Sequence, residues 1–177
     1  MSGLIIPFHG VVPKIHPEAF IAANVTLIGN VELGRRVSLW YGVIIRGDVN
    51  VITIGENTNI QDGTVIHVNH RTHPTHIGAR VTVGHACMIH GCTLEDDSFV
   101  GMHATVLDGA VIESGGMLAA GGLLPPRKRI AAGELWAGSP AKLMRVMDAD
   151  ERARFARTGA HYVELAQRHA KDQRGGD

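Results

Sequence analysis

The chain places an aliphatic residue at every sixth position, and a second aliphatic or small residue four positions after each of them. The first series reads Ile21, Leu27, Leu33, Leu39, Ile45 and Val51, accompanied by Val25, Val31, Val37, Val43 and Val49. After a slip in phase the pattern resumes at Ile54, Ile60 and Ile66, with Thr58 and Thr64. Beyond "VNHRTHPTH" it continues at Ile77, Val83 and Ile89, with Val81, Cys87 and Thr93. A last slip leads to Leu94, Val100, Val106, Ile112 and Leu118, with Ser98, Ala104, Ala110 and Gly116.

A period of six matches neither an α-helix nor a simple alternating strand. Hexapeptide periods are typical of parallel β-helices, in which each unit supplies one short strand and one corner. The first and fifth positions of each unit then point into the core. The repeat, from about residue 21 to about residue 118, predicts an all-β parallel β-helix within residues 1–147. The chain resembles the left-handed β-helix of hexapeptide-repeat proteins, and this resemblance implies a triangular prism with three units per coil.

The pattern changes at about Asp148, where charged residues alternate with a sparse apolar stripe. We predict a C-terminal α-helix over residues 148–173, with Asp148 or Asp150 as the N-cap. The helix is either continuous or interrupted near Gly159. Its apolar stripe must dock on the side of the prism or on a neighbouring chain. The motif "GSPAK" predicts a turn before the helix, and the terminal "RGGD" predicts disorder.

Composition excludes several classes of function. The 177 residues fit one domain, and the net charge of zero gives no basic footprint for nucleic acid and no polybasic cluster for a membrane. The segment "MSGLIIPFHGVVPK" lacks the features of a signal peptide, and no apolar run approaches transmembrane length. A cytoplasmic location follows as the expectation. The two cysteines predict small buried residues and no disulfide.

Three histidines stand out because they interrupt the repeat at outward positions. His67 and His90 both follow a core aliphatic residue directly, and His85 lies two positions after Val83. We expect His67 and His90 to lie near one another on adjacent coils, and His85, 18 residues after His67, to lie about one coil away. Three neutral imidazoles converging on one point form a catalytic type of zinc site, with one position left for water. A flat outer face cannot enclose a metal, so we predict a site between subunits of a homo-oligomer.

For each of the other histidines, we expect a solvated or structural role. His70, His73 and His76 are expected in a loop near the site, because Pro74 interrupts the ladder there.

The segments "RGDVNVITIGENTNIQDGTVIHV" and "IGARVTVGHACMIHGC" resemble the γ-class carbonic anhydrases and their bacterial relatives. The similarity extends to "AGSPAK" and the C-terminal helix. It implies a homotrimer of left-handed β-helices with zinc, or iron or cobalt in some members, between subunits. It also implies that His67 and His90 come from one chain and His85 from its neighbour.

The resemblance implies roles for five further residues. Arg46 and Asp48, with Asp62, resemble an ion-pair set that supports the trimer interface near the metal. Gln61 resembles a residue that hydrogen-bonds the metal-bound water or hydroxide, and Tyr162 resembles a helix tyrosine close to the site. For Arg46 and Asp48, a purely structural role at the interface has the same weight as a role in catalysis.

One departure from the family concerns proton transfer. The family prototype carries an acidic loop beside the site, whereas this chain has His70 three residues after His67 and Val49 directly after Asp48. A histidine with an ordinary pKa near about 6.5 can carry protons at neutral pH. We therefore predict that His70, or alternatively His73, replaces the acidic proton shuttle.

The favoured interpretation is a zinc lyase that catalyses reversible hydration of CO2 to bicarbonate. Two alternatives remain open. Hexapeptide-repeat proteins include CoA-dependent acyltransferases, which use a histidine as general base. The second alternative is a metal-stabilised trimeric scaffold with weak or no activity. Metal content and CO2 turnover separate the three.

Overall fold

The computed structural model describes residues 3–172, so the disorder predicted for "RGGD" falls outside the described residues. The elements in chain order are β1 (Leu4–Ile6), β2 (Lys14–Ile15), β3 (Phe20–Ile21), β4 (Thr26–Leu33), β5 (Ser38–Leu39), β6 (Ile44–Ile54), β7 (Asn59–Ile60), β8 (Val65–His67), β9 (Thr75–Ile77), β10 (Thr82–Val83), β11 (Met88–His90), β12 (Thr93–Leu94), β13 (Phe99–Val100), β14 (Thr105–Val106), β15 (Val111–Ile112), β16 (Met117–Leu118), β17 (Leu123–Leu124), β18 (Arg129–Ile130), β19 (Glu134–Gly138), β20 (Ala141–Val146) and α1 (Ala149–Asp172).

The strands form a parallel β-helix with three faces, and the predicted fold class is confirmed. The helix face consists of β3, β5, β7, β10, β13, β16 and β19. The histidine face consists of β1, the first halves of β4 and β6, and then β8, β11, β14 and β17. The third face consists of β2, the second halves of β4 and β6, and then β9, β12, β15 and β18.

Regular coils hold 18 residues, as between Ile112 and Ile130, but one coil is a residue shorter, as between Ile89 and Val106, and two coils are longer. Leu39 pairs with Ile60, 21 residues on, and Ile66 pairs with Ile89, 23 residues on. The longest coil contains the loop of residues 69–74, which bulges from the prism between β8 and β9. These insertions set which outward side chains become neighbours.

The core follows the predicted ladder, with corrections where the phase slips. Val49 is 39% exposed and Val51 is half-buried, so their assignment to the core was wrong, and Ile52 is buried instead. Here β6 runs through the corner with an irregular register against β4. Cys92, not Thr93, fills the small inward position before Leu94. The repeat also extends beyond residue 118, because the later strands β17 and β18 each bury a core aliphatic residue completely.

Helix α1 is continuous and begins with a capping box, which makes Asp148 the N-cap. The Glu151 backbone N–H donates to Asp148 Oδ1 at 2.8 Å, and the Asp148 N–H donates to Glu151 Oε2 at 3.3 Å. Gly159 lies within the helix and is buried against β10, so it does not interrupt the helix. Within residues 3–172, no helix combines the length and apolar character needed to cross a membrane.

The helix docks on its own prism, which decides between the two docking alternatives. Phe155 packs against Phe99 with ring centroids 5.0 Å apart, and Tyr162 meets Trp40 edge-on at 5.4 Å. The "GSPAK" turn joins β19 to β20 as an antiparallel hairpin that precedes the helix. The helix therefore covers the helix face, and within residues 3–172 no helix covers the other two faces.

Candidate metal centre

His67 and His90 are direct neighbours at the ends of paired strands. His67 ends β8, His90 ends β11, and the two residues are register partners. Their rings point outward, and His67 Nδ1 lies 3.1 Å from His90 Nε2. The expected neighbourhood of these two residues is therefore present. It arises from the 23-residue coil, which aligns His90 rather than His85 with His67.

Each of these imidazoles contacts a carboxylate through the ring nitrogen that points away from the other imidazole. His67 Nε2 lies 3.0 Å from Asp48 Oδ1, and His90 Nδ1 lies 2.5 Å from Asp108 Oδ1. Burial raises the pKa of Asp48, but hydrogen bonds from His67 and then Arg46 outweigh it and leave that pKa lowered. Burial also raises the pKa of Asp108, but hydrogen bonds from His90 and then Asn69 outweigh it and leave that pKa lowered. Both carboxylates are therefore ionised acceptors at neutral pH.

This arrangement fixes the protons on the two rings. An ionised carboxylate requires an N–H donor, so His67 carries its proton on Nε2 and His90 carries its proton on Nδ1. In the neutral rings, the two nitrogens that face each other are then both lone-pair acceptors. Two acceptors 3.1 Å apart repel unless a cation or a proton lies between them. Carboxylate-backed histidines of this kind are typical of metal ligands.

Polar neighbours hold the carboxylates in turn. Arg46 Nη1 donates to Asp48 Oδ2 at 2.5 Å, and Asn69 Nδ2 donates to Asp108 Oδ2 at 2.7 Å. Asn69 opens the 69–74 loop, so this bond ties the loop to the histidine pair. We call Arg46, Asp48, His67, Asn69, His90 and Asp108 the paired-histidine cluster.

The predicted shuttle residues lie in the tethered loop. His70 is exposed, and its carbonyl accepts from the Thr72 N–H at 2.8 Å. His73 is half-buried, and its ring lies close to Gly109, next to Asp108. His76 is not in the loop, contrary to expectation: it lies on β9 of the third face, where Nδ1 is 2.9 Å from Thr53 Oγ1.

A second cluster lies at the opposite edge of the histidine face. His85 Nδ1 lies 2.9 Å from Asp62 Oδ2, and both side chains are about two-fifths exposed. Gln61 is buried beside them, and its Nε2 donates to Asn59 Oδ1 at 3.0 Å. Tyr162 reaches this corner from the helix, and burial together with the negative charge of Asp62 raises its pKa. We call Gln61, Asp62, His85 and Tyr162 the single-histidine cluster.

The two clusters do not meet within one chain. His85 lies in the turn before β11, whereas His90 ends that strand, so the strand separates them. Arg46 and Asp48 lie within β6, whereas Asp62 lies in the turn before β8, so these residues are also on opposite sides of the histidine face. Throughout residues 3–172, no three His, Cys, Asp or Glu side chains come together around a point that could hold a metal ion. One chain therefore presents two separate clusters, neither of which forms a metal site by itself.

The surface between the two clusters is apolar. Ile44 and Met88 project from the histidine face and are 41% and 39% exposed, with half-buried Val65 between them. The third face instead carries polar pairs such as Lys14 with Glu32. Helix α1 covers the helix face, so of the three faces formed by residues 3–172 the histidine face carries the exposed apolar pair Ile44 and Met88.

The sequence analysis did not identify Asp108, which contacts His90 directly, or Asn69, which donates a hydrogen bond to Asp108. Asp108 follows His90 by 18 residues, one more than the 17-residue coil that pairs β11 with β14, and this near match is the signal that could have revealed it. Asn69 could not have been found in this way, because it lies in the loop that breaks the repeat.

The fold and the two clusters define a hexapeptide-repeat β-helix protein with carboxylate-backed histidines on its surface. No family model matches the chain. It is 46% identical over 165 residues to γ carbonic anhydrase 1 of Arabidopsis thaliana mitochondria, a match that covers 90% of this chain and 60% of the plant protein. It is 38% identical over 164 residues to a carbonic anhydrase of Geobacillus kaustophilus, covering 93% and 90% of the two chains.

A solved structure agrees with this similarity. The chain superposes with a TM-score of 0.90 on a hexapeptide transferase family protein of Anaplasma phagocytophilum, at 46% identity, covering 94% of this chain and 98% of the other. The chain spans about 60% of the length of the first Arabidopsis relative. It belongs to the γ-class carbonic anhydrase family of hexapeptide-repeat proteins, and this membership implies a metal cofactor.

Proposed function

We propose that the protein is a carbonic anhydrase that interconverts CO2 and bicarbonate at a metal ion held between subunits of a homotrimer. His67 and His90 of one chain and His85 of its neighbour would bind the metal. Zinc is the metal we favour, with iron or cobalt as alternatives. The names of the plant and bacterial relatives support the reaction, and the two separate clusters support the shared centre.

One observation carries the proposal: two ring nitrogens face each other as acceptors, at 3.1 Å. Zinc bound to two imidazoles at about 2.0–2.1 Å in tetrahedral geometry separates the nitrogens by about 3.3 Å. The observed spacing is close to this value. The carboxylates on the far sides of both rings supply the orientation and basicity that metal ligands need. The donor set therefore fits a zinc ion.

The apolar histidine face supports a subunit interface. A third ligand must come from outside the chain, because His85 lies across that face from His67 and His90. Packing a second copy on the face would bury Ile44 and Met88 and bring its single-histidine cluster to the paired-histidine cluster. Each chain would use both edges, as a closed ring requires. The trimeric number comes from the family resemblance.

A bound zinc ion would supply the Lewis acidity that generates a nucleophile from water at neutral pH. Gln61 would orient that water. Its amide N–H is committed to Asn59, and its Oε1 has no partner within residues 3–172, so the oxygen can accept a hydrogen bond from the water. Arg46 would hold Asp48, and Asp108 would hold His90, so that both imidazoles keep their geometry. Asp62 would orient His85, and Tyr162 would enclose the site.

Proton removal is the remaining requirement of CO2 hydration. His70 is exposed and follows Asn69, which is bonded to Asp108, and this supports a role for His70 in moving protons from the paired-histidine cluster to solvent. His70→Ala should therefore lower turnover in weak buffer, and added imidazole should restore it. His76→Ala, on the third face, is the matched control. Unchanged turnover of His70→Ala in weak buffer would transfer the role to His73 or to solvent.

The deciding experiment measures metal content per chain together with stopped-flow CO2 hydration, on protein purified without chelator. We expect about one metal per chain and metal-dependent turnover, with both lost in His90→Ala and kept in His76→Ala. Metal without turnover would favour the scaffold alternative. A folded trimer without metal would contradict the three-histidine centre and favour a CoA-dependent acyltransferase. A cytoplasmic location belongs to the same proposal.

A further inference from the structure

An elongated cavity of about 810 Å³ lies between helix α1 and the corner that joins the third face to the helix face. Stacked turn residues of successive coils form one wall, among them Arg36, Asn57 and Arg80. Helix residues from Arg152 to Gln167 form the other. The lining includes no member of the paired-histidine or single-histidine clusters. A volume of this size lies within the range of small-molecule sites.

Two polar atoms in the lining residues are buried without a partner. Arg36 Nε and Ser98 Oγ make no hydrogen bond within residues 3–172. Ser98 is 1% exposed, so water does not replace the missing partner freely. Leaving buried polar atoms unsatisfied is unfavourable, and native structures contain few of them. Ser98 holds an inward position of the repeat, so its Oγ belongs to the core of the prism, and Arg36 Nε is the buried donor that is left for a ligand in the cavity.

The charges around the cavity do not cancel. Arg80 is neutralised by Asp97, with Nε to Oδ1 at 2.7 Å and Nη2 to Oδ2 at 2.8 Å. Arg36 and Arg152 make no ion pair within residues 3–172, and Glu164 is the remaining carboxylate of the lining. Two guanidinium groups thus face one carboxylate. The cavity favours an anion.

The remainder of the lining is suited to an apolar body. The rings of Phe99 and Phe155 pack against each other in a tilted arrangement with centroids 5.0 Å apart, and Met117 and Met147 extend this apolar part of the lining. Methionine and aromatic side chains adapt to aliphatic or aromatic groups. The anionic preference and the apolar part of the lining together describe one kind of molecule.

We propose that this cavity binds a small organic anion with an apolar body, such as a medium-chain carboxylate or phosphate monoester. The Arg36 guanidinium binds the anionic head group, with Arg152 as the second cation. The apolar body lies along Phe99 and Phe155. This site is separate from the proposed metal centre and does not depend on it.

Isothermal titration calorimetry on the full-length protein tests the site, with octanoate, octyl phosphate and uncharged 1-octanol as probes. We expect saturable binding of octanoate at one molecule per chain, and at least tenfold weaker binding of 1-octanol. Comparison of octanoate with octyl phosphate shows which head group is preferred. Arg36→Met should weaken octanoate about 10- to 100-fold, the usual loss for a hydrogen-bonded charge, while 1-octanol is unaffected.

Two control pairs make the result interpretable. Arg127→Met removes an exposed arginine in the same turn conformation outside the cavity, and it should leave binding unchanged. Ala156→Trp should fill the cavity and abolish binding, whereas Arg157→Trp, outside the lining, should not. Circular dichroism melting verifies that each variant folds. Equal affinity for octanoate and 1-octanol, undiminished binding in Arg36→Met or in folded Ala156→Trp, or no binding at all, would overturn the proposal.

Discussion

Replacement of Asp108 by asparagine tests whether the paired-histidine cluster is built to hold a metal. In the native chain, one carboxylate oxygen accepts from His90 Nδ1 at 2.5 Å, and the other accepts from Asn69 Nδ2 at 2.7 Å. Asp108→Asn keeps the shape but offers only one acceptor oxygen. Its amide nitrogen must then face either the N–H of His90 or the amide of Asn69. His90 loses a charged acceptor in both cases.

The size of the effect follows from these contacts. Loss of a residue that orients a metal-bound histidine weakens metal affinity by about 10- to 100-fold. This range corresponds to about 1.4–2.8 kcal/mol. Because the remaining amide oxygen can still accept from His90, we expect the lower part of the range, near about tenfold. The fold itself should be unaffected, since Asp108 lies on the surface of the prism and outside its core.

Zinc affinity of Asp108→Asn is measured by competition with a chromophoric chelator, and sedimentation confirms the assembly state. Glu113→Gln is the matched control, since Glu113 also loses two hydrogen bonds, from Arg129 and the Ala132 N–H, but lies away from the histidines. An affinity equal to that of the unmodified protein would refute the positioning role of Asp108. Equal losses in both variants would indicate a general effect of surface charge.

Four further predictions concern the interface, the core, the helix and the cysteines. Met88→Glu places a charge on the exposed apolar histidine face and should dissociate the proposed trimer in sedimentation equilibrium; an intact trimer would exclude that face as the interface. Ile66→Ala removes a fully buried side chain and should cost about 2–5 kcal/mol in urea unfolding, and a cost below about 1 kcal/mol would contradict tight packing there. Asp148→Ala removes the N-cap, worth about 1 kcal/mol, and should speed amide exchange in the first turn of α1 while the coils stay protected; unchanged exchange would show the cap to be dispensable. Burial raises the pKa of Cys87 to about 11 and of Cys92 to about 12, so thiolate is scarce at pH 8 and iodoacetamide should label both slowly until the protein is unfolded; rapid labelling of the native protein would contradict this.

The β-helix could be predicted because its local and tertiary patterns coincide. Each inward residue stacks on the inward residue of the next coil, as Ile66 does on Ile89, so a six-residue period already specifies the contacts. The outward direction of His67 and His90 follows from the same period. The prediction failed at Val51 and Thr93, where the chain slips in phase. When a coil gains or loses residues, the period alone does not determine which adjacent residue takes the inward position.

Periodicity and capping were therefore enough to predict the repeat, the start of the terminal helix and the outward positions of the three histidines. Which outward residues become neighbours could not be read from these local patterns and is known from the folded chain. A 23-residue coil aligns His67 with His90, and the turn after β14, one coil later, places Asp108 beside His90 Nδ1. Those contacts depend on the length of each coil between the contacting residues, and a local six-residue pattern does not specify those lengths.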